Sequence, residues 1–183
     1  MARIELITSK DQIGEDRQHE YDEIVGVLGN VGGPFGVLMY SPGLAEMVCK
    51  TGAHVRLESS LTMVERELCI LTLCRERDAA YEWGSHVNVA RKAGMREEAI
   101  EVMGTGGDAS GLEPDERDII TYSRQLLNNN KIDKELFDAM LARHDARWMV
   151  EITATLGQYS YISCINNAFE MTREGAEAMP VRK

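Results

Sequence analysis

The stretch from Thr62 to Gly94, TMVERELCILTLCRERDAAYEWGSHVNVARKAG, limits the fold more than any other part of the chain. It reads as two successive apolar helices with one break, at Asp78. Thr62 followed three residues later by Glu65 forms a capping box that starts the first helix. Gly94 after Arg91 and Lys92 makes a left-handed stop for the second. Into this apolar pair the chain places three ionisable side chains. Glu67 lies among Leu68, Ile70, Leu71 and Cys74, and Glu82 and His86 lie among Trp83, Val87, Val89 and Ala90. Burying such groups costs desolvation energy, and positions that accept that cost are candidate functional sites. Gly84, inside the second helix, is a weak point unless another segment packs closely against it.

The flanking sequence is also helical. Tyr21, Ile24, Val25 and Leu28 recur at helical spacing within 13–30, and Gly29 ends the pattern. Pro34 opens a short helix, and Ser41-Pro42 opens another that runs through PGLAEMVCKTGAHVRLES. One face of that helix carries Ala45, Cys49, Gly52 and Arg56, small residues leading to a cation that suits an anionic ligand. Residues 96–103 form a short amphipathic helix, and GTGGDASG (104–111) reads as a loop with neither the lysine nor the following strand of a phosphate loop. Pro114 starts a further helix with acidic residues in its first turn, and Asp133 is placed to cap KELFDAMLARH. The last segment, ARWMVEITATLGQYSYISCINNAFEM, is apolar nearly all round and is expected to be buried in the domain or at a subunit interface. No period-two alternation persists long enough to predict a strand. The fold class is all-α: one domain over 1–183, with an arm at 1–15 and a loop at 104–113 between its halves.

The 183 residues are 44% hydrophobic, enough to bury a core, and carry a net charge of −10. No basic run supplies a phosphate-binding footprint, so nucleic acid is not an expected partner. No apolar stretch reaches the roughly 20 residues of a membrane helix, and the N-terminus lacks the apolar core of a signal peptide. A cytoplasmic protein that contacts no membrane is expected. The four cysteines, Cys49, Cys69, Cys74 and Cys164, form no metal-ligand spacing and read as buried reduced thiols. Cys69 and Cys74 point about 140° apart around one helix, which disfavours a local disulfide. No metal site is expected.

Glu82 and His86 are four residues apart on one helical face, within reach of each other or of a shared ligand. Glu67, on the preceding helix, is placed to face them across the same pocket. A carboxylate beside an imidazole raises the imidazole pKa, and burial raises that of a carboxylate; both favour proton transfer. The same three residues also suit a polar network that only fixes helix packing.

The motifs ERELCIL (65–71), YEWGSH (81–86) and the A-x-x-A-G run closing at Gly94 resemble the carboxymuconolactone decarboxylase family, a branch of the alkyl hydroperoxide reductase D-like superfamily. PFGVLMYSPGLAE and GQYSYISCINNAF add to the likeness, which spans about Pro34 to Phe169. Redox members of that superfamily carry a glutamate on the first helix, a CxxC at the start of the second, and a histidine four residues after the second cysteine. Glu67 and His86 match the glutamate and the histidine, while the cysteine positions fall on Ala79 and Glu82. Without those thiols the usual peroxidase route has no nucleophile. The resemblance implies a compact helical bundle that assembles as a homo-oligomer, a trimer or hexamer. It also implies a cofactor-free, decarboxylase-like lyase acting on a small unsaturated carboxylate or lactone. His86 would donate the proton, Glu82 and Glu67 would tune and orient it, and Arg56 would hold the anionic substrate. Isomerase, hydratase and lactone hydrolase chemistry, or a non-catalytic helical oligomer that binds a small ligand, fit the same skeleton.

Overall fold

A computed structural model describes residues 2–182, and no strand occurs among them. The backbone divides into two compact units, residues 1–58 with 164–172 and residues 59–163 with 173–183. The first unit contains α1 (Gln18–Leu28), α2 (Pro34–Leu38) and α3 (Pro42–Ala53). Gly29, at φ 82°, stops α1 in the left-handed conformation that glycine adopts without strain. α3 packs on α1 and α2 and buries Ala45, Val48, Cys49 and Gly52. It then continues into a π-helical turn, His54–Glu58, which carries Arg56. Through that turn Arg56 stays beside the small-residue face, its Nε donating to the Gly52 carbonyl at 3.2 Å.

The second unit is built on α4 (Met63–Glu76), which packs against α5 (Ala80–Lys92), α6 (Glu97–Thr105) and α7 (Pro114–Asn129). Every residue from Arg66 to Arg75 is buried, so α4 has no solvent face over that span. Its start is the expected capping box: Thr62 Oγ1 accepts from the Glu65 amide at 3.2 Å, and Glu65 Oε2 accepts from the Thr62 amide at 2.7 Å. α4 and α5 join at Asp78, whose φ of 48° turns the chain so that α5 folds back along α4. α8 (Lys134–Arg143) packs on α7. Asp133 stands at its N-cap position, but the carboxylate accepts from Gln125 Nε2 at 2.6 Å and does not cap the helix.

α9 (Ala146–Ala168) is not uniformly covered. Trp148, Met149, Ile152, Leu156, Tyr159 and Ile162 are buried, whereas Val150 and Tyr161 on the far side are exposed. Cys164 is exposed as well, unlike the other three cysteines, which corrects the expectation that all four are buried. It falls on the open face of α9, off the buried stripe.

Residues 173–182 form an irregular strap on the second unit. Glu177 makes a two-point pair with the Arg91 guanidinium at 2.5 and 3.0 Å, Arg75 donates to the Pro180 carbonyl, and Arg173 donates to Ser85 Oγ at 3.1 Å. The strap explains two glycines. A Cβ on Gly84 would lie 2.5 Å from the Ala176 Cβ, and one on Gly104 would lie 2.9 Å from Pro180 Cγ and 2.8 Å from the Trp83 ring. Gly104 therefore stays within α6, and the loop starts only at Gly106, two residues later than composition suggested.

Candidate active site

Glu67 projects from α4 toward α5 because it sits one residue before Leu68 on a helix buried all round. Glu82 and His86 follow on α5 at one-turn spacing. The fold brings the three side chains together. His86 Nδ1 lies 2.8 Å from Glu67 Oε2, and His86 Nε2 lies 3.4 Å from Glu82 Oε2. The first is a close hydrogen bond; the second is long for one. The edge of the imidazole meets Tyr159 of α9 at 5.0 Å between centroids with the rings 89° apart. Exposure differs within the group: 2% of the Glu67 side chain and 6% of Glu82 are open, against 16% of His86. The ring is the member a small molecule reaches most easily.

Burial opposes charge on His86, but the hydrogen bonds to Glu67 and Glu82 and the charges of both carboxylates outweigh it and raise the pKa to about 9. At neutral pH the site holds an imidazolium between two carboxylates. Glu82 also lies in the first turn of α5, where the helix dipole favours an anion.

One contributor was not legible as a site residue. Arg66 precedes Glu67 and, in the string VERE, resembles a surface charge. Only 10% of its side chain is open, and its Nε stands 3.7 Å from Glu67 Oε1. The signal available was its place inside a run with no polar face. Arg56 lies in the other unit, half-buried, with its Nε donating to the Gly52 carbonyl at 3.2 Å and its charge felt by Cys49.

Cys69 and Cys74 do not suit redox chemistry. Burial pushes Cys69 and Cys74 upward, and the charges of Glu82 and Glu67 push Cys74 further. Ala79, at the first position of the redox pattern, is fully buried. Among the described residues, no group of three or more His, Cys, Asp or Glu side chains is disposed to hold a metal ion, and no helix is long and apolar enough to cross a membrane.

Residues 42–113 match the carboxymuconolactone decarboxylase family. Among curated proteins no sequence matches the chain. Two crystal structures share the fold. An uncharacterized peroxidase-related protein from Ralstonia eutropha JMP134, described as an alkylhydroperoxidase AhpD core, aligns with TM-score 0.75 at 14% identity, over 95% of this chain and 93% of its own. An uncharacterized peroxidase-related protein from Silicibacter sp. TM1040 aligns with TM-score 0.71 at 14% identity, over 88% of this chain and 86% of its own. Identity that low carries the fold and not the activity.

Proposed function

We propose that this chain, a member of the carboxymuconolactone decarboxylase family, is a cofactor-free lyase that protonates a small unsaturated carboxylate or lactone from His86. The observation that carries the reading is the imidazole held between Glu67 and Glu82, its pKa raised to about 9 and its ring the most open of the three. Nδ1 is anchored at 2.8 Å, so Nε2, with its looser 3.4 Å contact, is the nitrogen that delivers.

In the decarboxylation the bond between the reacting carbon and its carboxylate breaks, and the electron pair passes into a conjugated carbonyl as an enolate. The Nε2 proton then adds to that carbon. Carbon dioxide leaves, the imidazole is left neutral, and solvent reprotonates it. A substrate that displaces Glu82 from Nε2 removes one of the two carboxylates that hold the proton. The acid is thereby strengthened once the substrate is in place. Glu67 keeps the ring oriented throughout. Isomerisation, hydration and lactone hydrolysis need the same donor and differ only in what leaves or adds.

An acidic protein repels an anionic ligand and needs a local cation. We propose Arg56 for this role from its place in the sequence after the small residues Ala45, Cys49 and Gly52. Arg56→Ala is expected to raise KM with kcat little changed, the signature of an interaction made equally in ground and transition states. The resemblance further leads us to propose a homo-oligomer, a trimer or hexamer; exposed Phe137, Leu141 and Val150, lining a groove of about 550 Å³ along α8 and α9, are apolar surface that a subunit contact would cover. Light scattering of the eluted protein tests this, and a monomer at micromolar concentration would refute it.

The reading is tested by turnover of small unsaturated carboxylates and lactones in deuterated water, followed by NMR with the wild type and His86→Gln. Deuterium placed at one carbon by the wild type alone supports it. The depth of both carboxylates favours a second reading, in which the network only fixes packing. On that reading His86→Gln loses stability and no member of the panel reacts.

A further inference from the structure

We propose that Arg66 is a positioning residue for His86: its guanidinium, beside Glu67 Oε1, divides that carboxylate's charge between two cations and so keeps the His86 proton transferable. The assignment rests on His86 as proton donor, although the charge geometry behind it does not.

The four groups alternate in sign across two helices: Arg66 and Glu67 on α4, His86 and Glu82 on α5. The separations are 3.7 Å from Arg66 Nε to Glu67 Oε1, 2.8 Å from Glu67 Oε2 to His86 Nδ1, and 3.4 Å from His86 Nε2 to Glu82 Oε2. The two oxygens of Glu67 thus face different cations. The side chains of Glu67 and Glu82 are at least nine-tenths buried, and that of Arg66 is nine-tenths buried. In such surroundings an uncompensated charge is costly, and with Arg66 present the group sums to zero instead of −1.

The second consequence is chemical. Two carboxylates alone would hold the imidazolium proton too firmly for a general acid. The other titratable groups near the ring or its partners include the Tyr159 phenol from α9, the Tyr81 phenol of α5, and the Cys69 and Cys74 thiols of α4, of which Cys74 lies within electrostatic reach of both carboxylates. None of these groups can carry a positive charge, so none offsets the negative pair. Arg66 is the cation on α4 adjoining Glu67, and its charge weakens the pull of Glu67 on Nδ1. The guanidinium also fixes which Glu67 oxygen faces the ring, and with it the orientation of Nε2.

The test is an NMR titration of the His86 imidazole in the full-length wild type, Arg66→Met, Arg66→Gln and Arg66→Lys, with the resonance assigned by its loss in His86→Gln. Arg66→Met and Arg66→Gln are expected to move the His86 titration upward by roughly one pH unit, as loss of a nearby like charge does. Arg66→Lys should move it by less than half as much. Arg66→Gln retains a donor for Glu67 and serves if Arg66→Met fails to fold. Where turnover is measurable, its basic limb should move in the same direction. A His86 titration unchanged or lowered in the uncharged variants overturns the proposal, because a merely structural arginine changes the melting temperature and leaves the titration where it was. Wild-type protein that turns over nothing, together with the upward shift in the uncharged variants, overturns the lyase reading and leaves the assignment of Arg66 standing.

Discussion

Substituting Gly84 by alanine sets two opposing effects against each other. In the interior of an exposed helix the change gains about 1 kcal/mol, because alanine is the better helix former. Here the new Cβ meets the Ala176 Cβ at 2.5 Å, well inside the 3.5–4.0 Å at which carbon atoms attract. The strap must move by roughly 1 Å, and overpacking of that kind costs about 1–3 kcal/mol. Displacement also loosens the Pro180 carbonyl from Arg75, which is 4% exposed and would lose a partner; this adds about 1 kcal/mol. The exposed pair between Arg91 and Glu177 adds little. The net is a loss of about 1–3 kcal/mol, or a fall of roughly 2–12 °C in melting temperature for a chain of this size. Thermal unfolding followed by circular dichroism measures it. The compensating change is Ala176→Gly. The next contacts of the new Cβ are then Glu177 O at 3.5 Å and the residue 176 Cα at 3.7 Å, both ordinary. Gly84→Ala with Ala176→Gly should recover most of the loss, although the glycine in the strap costs some entropy. A single variant Gly84→Ala that is more stable than wild type would refute the argument, because the strap would then be yielding at no cost.

Three further outcomes follow from the site and its surroundings. The folded pKa of His86 is about 9 and the unfolded value 6.5, so its stabilisation is complete below pH 6.5 and is lost as pH rises through 9; denaturant titrations should show about 3 kcal/mol of stability disappearing over that interval, and no such slope in His86→Gln. Glu67→Gln should lower the His86 titration more than Glu82→Gln, since the contacts are 2.8 and 3.4 Å; the reverse order, read by NMR, would mean that Nε2 is the anchored nitrogen. Glu151 is disfavoured as an anion by burial, yet bonds from the Ser60 amide and hydroxyl and the Arg147 guanidinium hold it down at about pKa 2; the stability it supplies is present above the unfolded value of 4.5 and lost as pH falls toward 2, so Glu151→Gln should flatten the acid limb of a stability profile.

Much of this was legible in the sequence for local reasons. The capping box at Thr62 and Glu65, the stops at Gly29 and Gly94 and the apolar period of α4 are written within a few residues of where they act. The meeting of Glu67 with Glu82 and His86 was legible because each stood at an apolar position, and because the α4–α5 hairpin has only one way to close. Arg66 was not, since a charged residue next to a glutamate is the ordinary appearance of a solvated turn; only the burial of α4 from Arg66 to Arg75 among three helices makes it internal. The strap was illegible for a different reason. Residues 173–182 have no periodicity, and their partners Arg75, Ser85 and Arg91 lie about ninety to a hundred positions away, so nothing nearby announces the contact. The π-helical turn at His54–Glu58 left no mark in composition either, although Arg56 stays against Gly52 and Cys49 of the face on which helical spacing placed it.

The position of Glu82 at the opening turn of α5 bears on how such chains interconvert over evolutionary time. The resemblance puts the two redox cysteines at Ala79 and Glu82, so two codons separate this arrangement from a dithiol beside the same glutamate and histidine. The amino end of α5 favours an anion whether sulfur or oxygen carries it, and His86 at the next turn accepts either as its neighbour. A helix end that favours an anion beside an imidazole can therefore hold a carboxylate or a thiolate at position 82 on the same scaffold.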